Sequence, residues 1–82
     1  MPENKGDHEK EKTIFVNKRP IKTTADELSG AQILELAGLS PDQYDLFLIK
    51  DDGKSEQIGP NQIVRIRDGL QFNAITKGVN FG

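Results

Sequence analysis

The sequence predicts an α+β fold, in which one short helix lies across a mixed sheet of four or five strands. Three observations predict it. Strand-like segments stand at both ends of the foldable region, "TIFVN" at 13–17 and "LQFNAI" at 70–75. A single helix signature, Ser29 followed by Gln32, lies between them. The element order reads hairpin, helix, strand, strand, strand, with no internal repeat. That order segregates the helix to one face of the sheet.

The first 12 residues, "MPENKGDHEKEK", hold seven charged side chains and no apolar residue after Met1. Such a segment buries too little surface to offset its ordering entropy, so residues 1–12 are expected to be a disordered tail. His8 falls in it and reads as solvated, because a metal site needs several convergent ligands. Order is expected from 13 to 75. In "TIFVN", Ile14 and Val16 share one strand face and Thr13 and Phe15 the other. "NKRP" supplies turn residues and "IKTTA" a β-branched second strand, giving a hairpin.

Ser29 and Gln32 form a capping-box pattern that satisfies two free donors at a helix start. Ile33, Leu34 and Ala37 then fall on one stripe, with Leu36 near its edge. Gly38 suits the position after the helix, and Pro41 blocks continuation. The spacing predicts a helix of about 30–37, too short to persist without packing. "YDLFLIK" (44–50) reads as a strand and "DDGK" as a turn. "SEQIGP" reads as irregular, anchored only by Ile58. In "QIVRIR", Val64 and Ile66 face opposite to Ile63, Arg65 and Arg67. Asp68-Gly69 is a two-residue hairpin signal, because glycine tolerates the positive φ such a turn requires. "LQFNAI" closes as the last strand. A helix across such a sheet is the β-grasp arrangement, which would make the first and last strands central and parallel.

Composition narrows the function classes. The chain has 82 residues, a formal net charge of −2 and no cysteine. One domain is expected, without disulfides, thiolate metal sites or a cysteine nucleophile. An acidic balance disfavours nucleic-acid binding, which needs a concentrated basic face. No apolar run approaches the ~20 residues that span a bilayer. The N-terminus lacks a signal-peptide core. A soluble, cytoplasmic protein is expected. The single histidine lies in the charged tail, which disfavours a Ser-His-Asp relay. "DDGK" reads as turn chemistry and not as a carboxylate pair for a metal. Gly53-Lys54 lacks the glycine spacing of a P-loop. The sequence therefore predicts no catalytic site, no metal site and no resident cofactor.

Two readings of the end of the chain stand on the residues alone. Residues 76–82, "TKGVNFG", are either a frayed terminus or a working one. Seven extended residues reach roughly 23–25 Å, enough to enter a partner. Gly78 adds flexibility, and Gly82 has no Cβ to obstruct attack at its carbonyl. Phe81 could fill an apolar pocket and fix register. A second open question concerns Phe15, Phe47 and Ile49. If Ile14 and Val16 face the core, Phe15 faces outward, and a solvated Asp45 in "YDLFLIK" places Phe47 and Ile49 on that same outer face. They then form an exposed docking patch, or another segment covers them.

A resemblance bears on these alternatives. "TIFVN" (13–17), "ELSGAQILELAG" (27–38), "IRDGLQFNAI" (66–75) and "NFG" (80–82) are similar to the bacterial multiubiquitin-domain family of ubiquitin-like proteins. The pieces cover most of 13–82. The hairpin-like "DGLQFNAI" followed by Asn-Phe-Gly is the more specific part. The resemblance implies a β-grasp protein modifier that is not itself an enzyme. It implies a partner ubiquitin-type activating enzyme that uses ATP and Mg, a conjugating-type enzyme, and a metalloprotease related to deubiquitinases. Gly82 would be the conjugation site. Gly78, Val79, Asn80 and Phe81 would be read by the activating enzyme, and Phe15, Phe47 and Ile49 would form the partner patch. It further implies an isopeptide-forming, thioester-linked pathway of antiviral defence. The chain departs from the family pattern in being a single domain and not an array. It also ends Phe81-Gly82, where ubiquitin and the sulfur carriers end Gly-Gly. A non-conjugated adaptor and a sulfur carrier are the alternative expectations.

Overall fold

A computed structural model describes residues 10–77 of the chain. Its elements are β1 (Lys12–Val16), β2 (Arg19–Thr23), β3 (Glu27–Ser29), α1 (Gly30–Leu36), β4 (Tyr44–Ile49), β5 (Ser55–Ile58), β6 (Ile63–Arg65) and β7 (Gln71–Thr76). Five strands form a mixed sheet in the order β2-β1-β7-β4-β5, and β3 pairs with β6 separately. β1 and β7 are the parallel pair, with Val16 beside Phe72. The remaining pairings are antiparallel. This is the α+β, β-grasp arrangement, with the first and last strands side by side in the middle of the sheet.

Alternation along the strands selects the core. Ile14, Val16, Leu46, Ile58, Phe72 and Ala74 point to one sheet face, where they meet Ile33 and Leu34 of α1. Leu28, Val64 and Ile66 close the core from the smaller sheet. Burying a Val, Leu, Ile or Phe side chain stabilises by about 1.5–3 kcal/mol, so the ten such residues of the core, with Ala74, must carry most of the fold.

The helix begins where its sequence signature lies. Ser29 Oγ accepts from the Gln32 N–H at 3.1 Å, and Gln32 Oε1 accepts from the Ser29 N–H at 2.8 Å. It ends in a Schellman motif. Gly38 takes φ of 79°, its N–H donates to the Glu35 carbonyl, and the Leu39 N–H donates to the Leu34 carbonyl. Among the described residues no helix is long and apolar enough to cross a membrane.

Four local expectations change. "SEQI" is not irregular: it forms β5, paired with β4 through the Asp51–Gly53 turn. It is an edge strand with only Ile58 buried, so its polar residues carry no alternation to read. The Asp68-Gly69 turn exists, but it does not join paired strands. β6 pairs with β3, whereas β7 pairs with β1 and β4. The turn is instead fastened to β1: Asp68 Oδ1 accepts from the Thr13 N–H, and the Gly69 N–H donates to the Thr13 carbonyl, each at 2.7 Å. The first hairpin turns on Asn17-Lys18, and Pro20 lies within β2. Finally, β1 starts at Lys12, one residue before the expected boundary. The Lys12 side chain is 17% exposed, and its ammonium donates to the Ala25 carbonyl and to Asp26 Oδ1.

Candidate functional site: the outer sheet face and the root of the last strand

The sheet has a second face, opposite the helix. Because β1, β7 and β4 alternate, the residues between the core positions point there. The registers place them in rows. Phe15 stands beside Gln71, which stands opposite Ile49, which stands opposite Ser55. In the next row Asn73 is opposite Phe47, and Phe47 is opposite Gln57. In the third, Ile75 is opposite Asp45. Phe15, Phe47 and Ile49 thus share one face, as the alternation predicts. Phe47 and Ile49 are same-face neighbours on β4, and Gln71 separates them from Phe15. All three are half-buried.

Ile75 extends this face and is 54% exposed. It is diagonal to Phe47 across the β4–β7 pair, within reach of a large side chain. The expected patch omits it. Its signal was present in "QFNAI", where burial of Phe72 and Ala74 turns Ile75 outward.

β7 reaches four residues past Phe72, the last residue paired with β1. There the Asn17 side chain replaces a strand: Oδ1 accepts from the Ala74 N–H at 2.9 Å, and Nδ2 donates to the Ala74 carbonyl at 3.2 Å. On the other side, the Lys77 N–H donates to the Gln43 carbonyl at 2.8 Å, and Lys77 Nζ lies 3.7 Å from Asp45 Oδ1. The last described residues are therefore held from both flanks. Gly78, Val79, Asn80, Phe81 and Gly82 lie outside the described residues.

Chemically, the face offers apolar contact area with amide groups from Gln71, Asn73 and Gln57 between the apolar side chains. Among the described residues no group of three or more His, Cys, Asp or Glu side chains is placed to hold a metal ion. A groove of about 420 Å³ lies at the end of this face, lined in part by Ile49, Lys50, Arg67 and Leu70.

The family model of Multiubiquitin matches residues 12–78. The chain belongs to the multiubiquitin family. The match begins where β1 begins and runs past the end of β7, so it spans the whole β-grasp unit. No curated protein and no solved structure matches the chain. As a multiubiquitin-family chain it is a ubiquitin-like domain, and its central strand pair carries both the outer face and the root of the segment after Thr76.

Proposed function

We propose that this domain is a protein modifier whose donor atom is the carbonyl carbon of Gly82. A carboxylate oxygen of Gly82 attacks the α-phosphorus of ATP, with Mg held by a partner activating enzyme, and pyrophosphate leaves. A cysteine thiolate of that enzyme attacks the Gly82 carbonyl carbon and expels AMP, forming a thioester. The acyl group passes to the cysteine of a conjugating-type enzyme. A target amine then attacks the thioester carbonyl, the thiolate leaves, and the nitrogen loses a proton to give an amide. The domain supplies the acyl group and binding surfaces; the enzymes supply the catalysis. A deubiquitinase-like metalloprotease would cleave the amide. Membership of the multiubiquitin family over 12–78 carries this reading. The place of the reaction is the cytoplasm, in a bacterial antiphage conjugation system.

The residues divide the work by their chemistry. Gly82 lets the nucleotide phosphate and the thiolate approach without a Cβ in the way. Phe81 anchors the register of the segment in the activating enzyme, with Gly78, Val79 and Asn80 threading the channel. Phe15, Phe47 and Ile49, extended by Ile75, dock on the enzymes. The held position of β7 supports the reading, because a delivered terminus needs a fixed root. Gly82 lies six residues beyond Thr76, a reach of roughly 20–22 Å.

The outer face also favours a second reading, a non-conjugated adaptor that binds partners through these apolar side chains alone. Intact mass of the full chain after incubation with the cognate enzymes and ATP separates the two. A covalent, thiol-sensitive enzyme adduct supports the modifier. An unchanged mass with persistent binding supports the adaptor.

A further inference from the structure

The two edges of the five-stranded sheet are not equivalent. In β1 the N–H groups of Phe15 and Asn17 are spent on the Leu70 and Phe72 carbonyls, both on the β7 side. Ile14 and Val16 therefore bond to Ile21 and Arg19 of β2. That leaves Pro20 and Lys22 with their backbone polar groups turned to the open side. Pro20 has no N–H, so this edge is deprived of a donor at its middle, a common way of blunting an edge strand.

β5 has no such device. The Lys50 N–H donates to the Lys54 carbonyl, so the β4–β5 ladder runs through Leu48 with Glu56 and Leu46 with Ile58. Ser55 and Gln57 alternate with these and direct their N–H and C=O groups away from the sheet. Among the described residues neither N–H has a backbone or side-chain partner. The free stretch is bounded: the next outward N–H, that of Gly59, donates to Gln62 Oε1 at 3.1 Å. β5 thus presents two donors and two acceptors at the spacing of an antiparallel strand.

A second copy of this chain does not fit that edge. Pairing Ser55 with Gln57 of another β5, in both directions, puts Glu56 directly opposite Glu56. Like charges at that separation repel. The same position instead favours a cation. Glu56 is paired with Lys50 at 3.0 Å, but both side chains are close to half exposed, and such a surface pair is weak. Residues on either side of that cation would lie over Ser55 and Gln57 on the outer face. Ile49 and Phe47 stand on the same face one strand further in, two strand spacings or about 9.6 Å from the added segment.

We propose that β5 binds an extended segment of another protein by antiparallel strand addition. The segment carries Lys or Arg opposite Glu56, flanked on each side by an apolar residue that lies next to Ser55 and Gln57, on the same sheet face as Ile49 and Phe47. Backbone hydrogen bonds give the affinity, and the basic residue between two apolar ones gives the selectivity. This proposal stands apart from conjugation and needs no reaction at Gly82.

The test is amide NMR of the isotope-labelled full chain, titrated with an acetylated nonapeptide whose centre is Val-Lys-Val between threonines. Saturable shifts largest at Ser55 and Gln57 are expected, with slowed hydrogen exchange at both. Gln57→Pro removes an outward N–H and no ladder bond of the fold. It should weaken binding by about tenfold or more, the loss of a backbone hydrogen bond plus steric contact. The signals of Leu46 and Ile58 report that the fold survives, and Gln57→Ala, which keeps the N–H, should bind like the parent. Replacing the peptide lysine by glutamate should weaken binding, and Glu56→Lys should restore it. Shifts centred on Lys22, undiminished binding by Gln57→Pro in a folded protein, or no shift at millimolar peptide would each overturn the proposal.

Discussion

Asn17 acts as a strand for Ala74. Its side-chain amide accepts from the Ala74 N–H at 2.9 Å and donates to the Ala74 carbonyl at 3.2 Å, continuing the parallel β1–β7 ladder past the end of β1. The geometry depends on the turn that follows. Asn17 and Lys18 both have positive φ, 54° and 69°, as a two-residue hairpin turn matched to the strand twist requires. Asn tolerates that conformation better than most residues, because its short polar side chain can bond locally.

The clamp gives a graded prediction. Asn17→Gly keeps the turn and removes both hydrogen bonds, so stability should fall by about 1–3 kcal/mol at roughly 0.5–1.5 kcal/mol per bond. Asn17→Ala should cost more, since it also places a Cβ in a left-handed conformation. Asn17→Asp keeps the acceptor for the Ala74 N–H but faces the Ala74 carbonyl with a second oxygen, so it should lose stability while retaining more hydrogen-exchange protection at Ala74 than Asn17→Gly. Urea midpoints and amide exchange check the order.

Gly30 is required by packing and not by backbone conformation. A Cβ built there would overlap the carbonyl oxygen of Gly59. The contact is with backbone, and two hydrogen bonds hold that loop to the helix start: Gly30 N–H to the Gln62 carbonyl and Ala31 N–H to the Pro60 carbonyl, each at 3.1 Å. Gly30→Ala should therefore destabilise by about 1–3 kcal/mol despite the higher helix propensity of alanine. A thermal midpoint equal to that of the parent would show that the loop yields freely.

The two sheet faces should respond differently to truncation. Leu46 is 1% exposed, and Leu46→Ala should cost about 2–5 kcal/mol, enough to unfold a domain of this size. Phe47 and Ile49 are only half-buried, on the other face. The double change Phe47→Ala, Ile49→Ala should leave a folded circular dichroism spectrum and weaken binding to the activating enzyme. An unfolded spectrum would mean that these side chains carry the fold instead.

How much of this was legible depended on whether the signal was local. The capping box at Ser29 and Gln32 needs only a four-residue window, and the structure reproduces it. The outer position of Phe15 follows from its buried neighbours Ile14 and Val16, and those of Phe47 and Ile49 from the period-2 spacing that groups them with Asp45 opposite the buried Leu46. β3 and β6 were not readable as a pair, because each is three residues long and buries one side chain, Leu28 and Val64. Asp68-Gly69 shows the limit of turn chemistry. The dipeptide does turn the chain, but its strands choose other partners, and Thr13, 55 residues away, holds the Asp68 carboxylate. The Asn17–Ala74 clamp spans 57 residues and has no local signature beyond an Asn in a turn. Such contacts are set by topology, which single-segment patterns do not encode.

The central claim is that Gly82 is the reacting residue, and ATP–pyrophosphate exchange catalysed by the cognate activating enzyme tests it most directly. The full chain should support exchange. A chain lacking Gly82 should not, because the carboxylate would retreat by one residue and carry the Phe81 side chain. Gly82→Ala should slow exchange less, since a methyl group crowds the carbonyl without moving it. Phe81→Ala should weaken binding to the enzyme by about 2 kcal/mol or more if the ring is an interface hot spot. All three variants should match the parent in thermal midpoint, because the changes lie beyond β7. Undiminished exchange by the folded chain that lacks Gly82 would contradict the modifier account and leave the adaptor reading in its place.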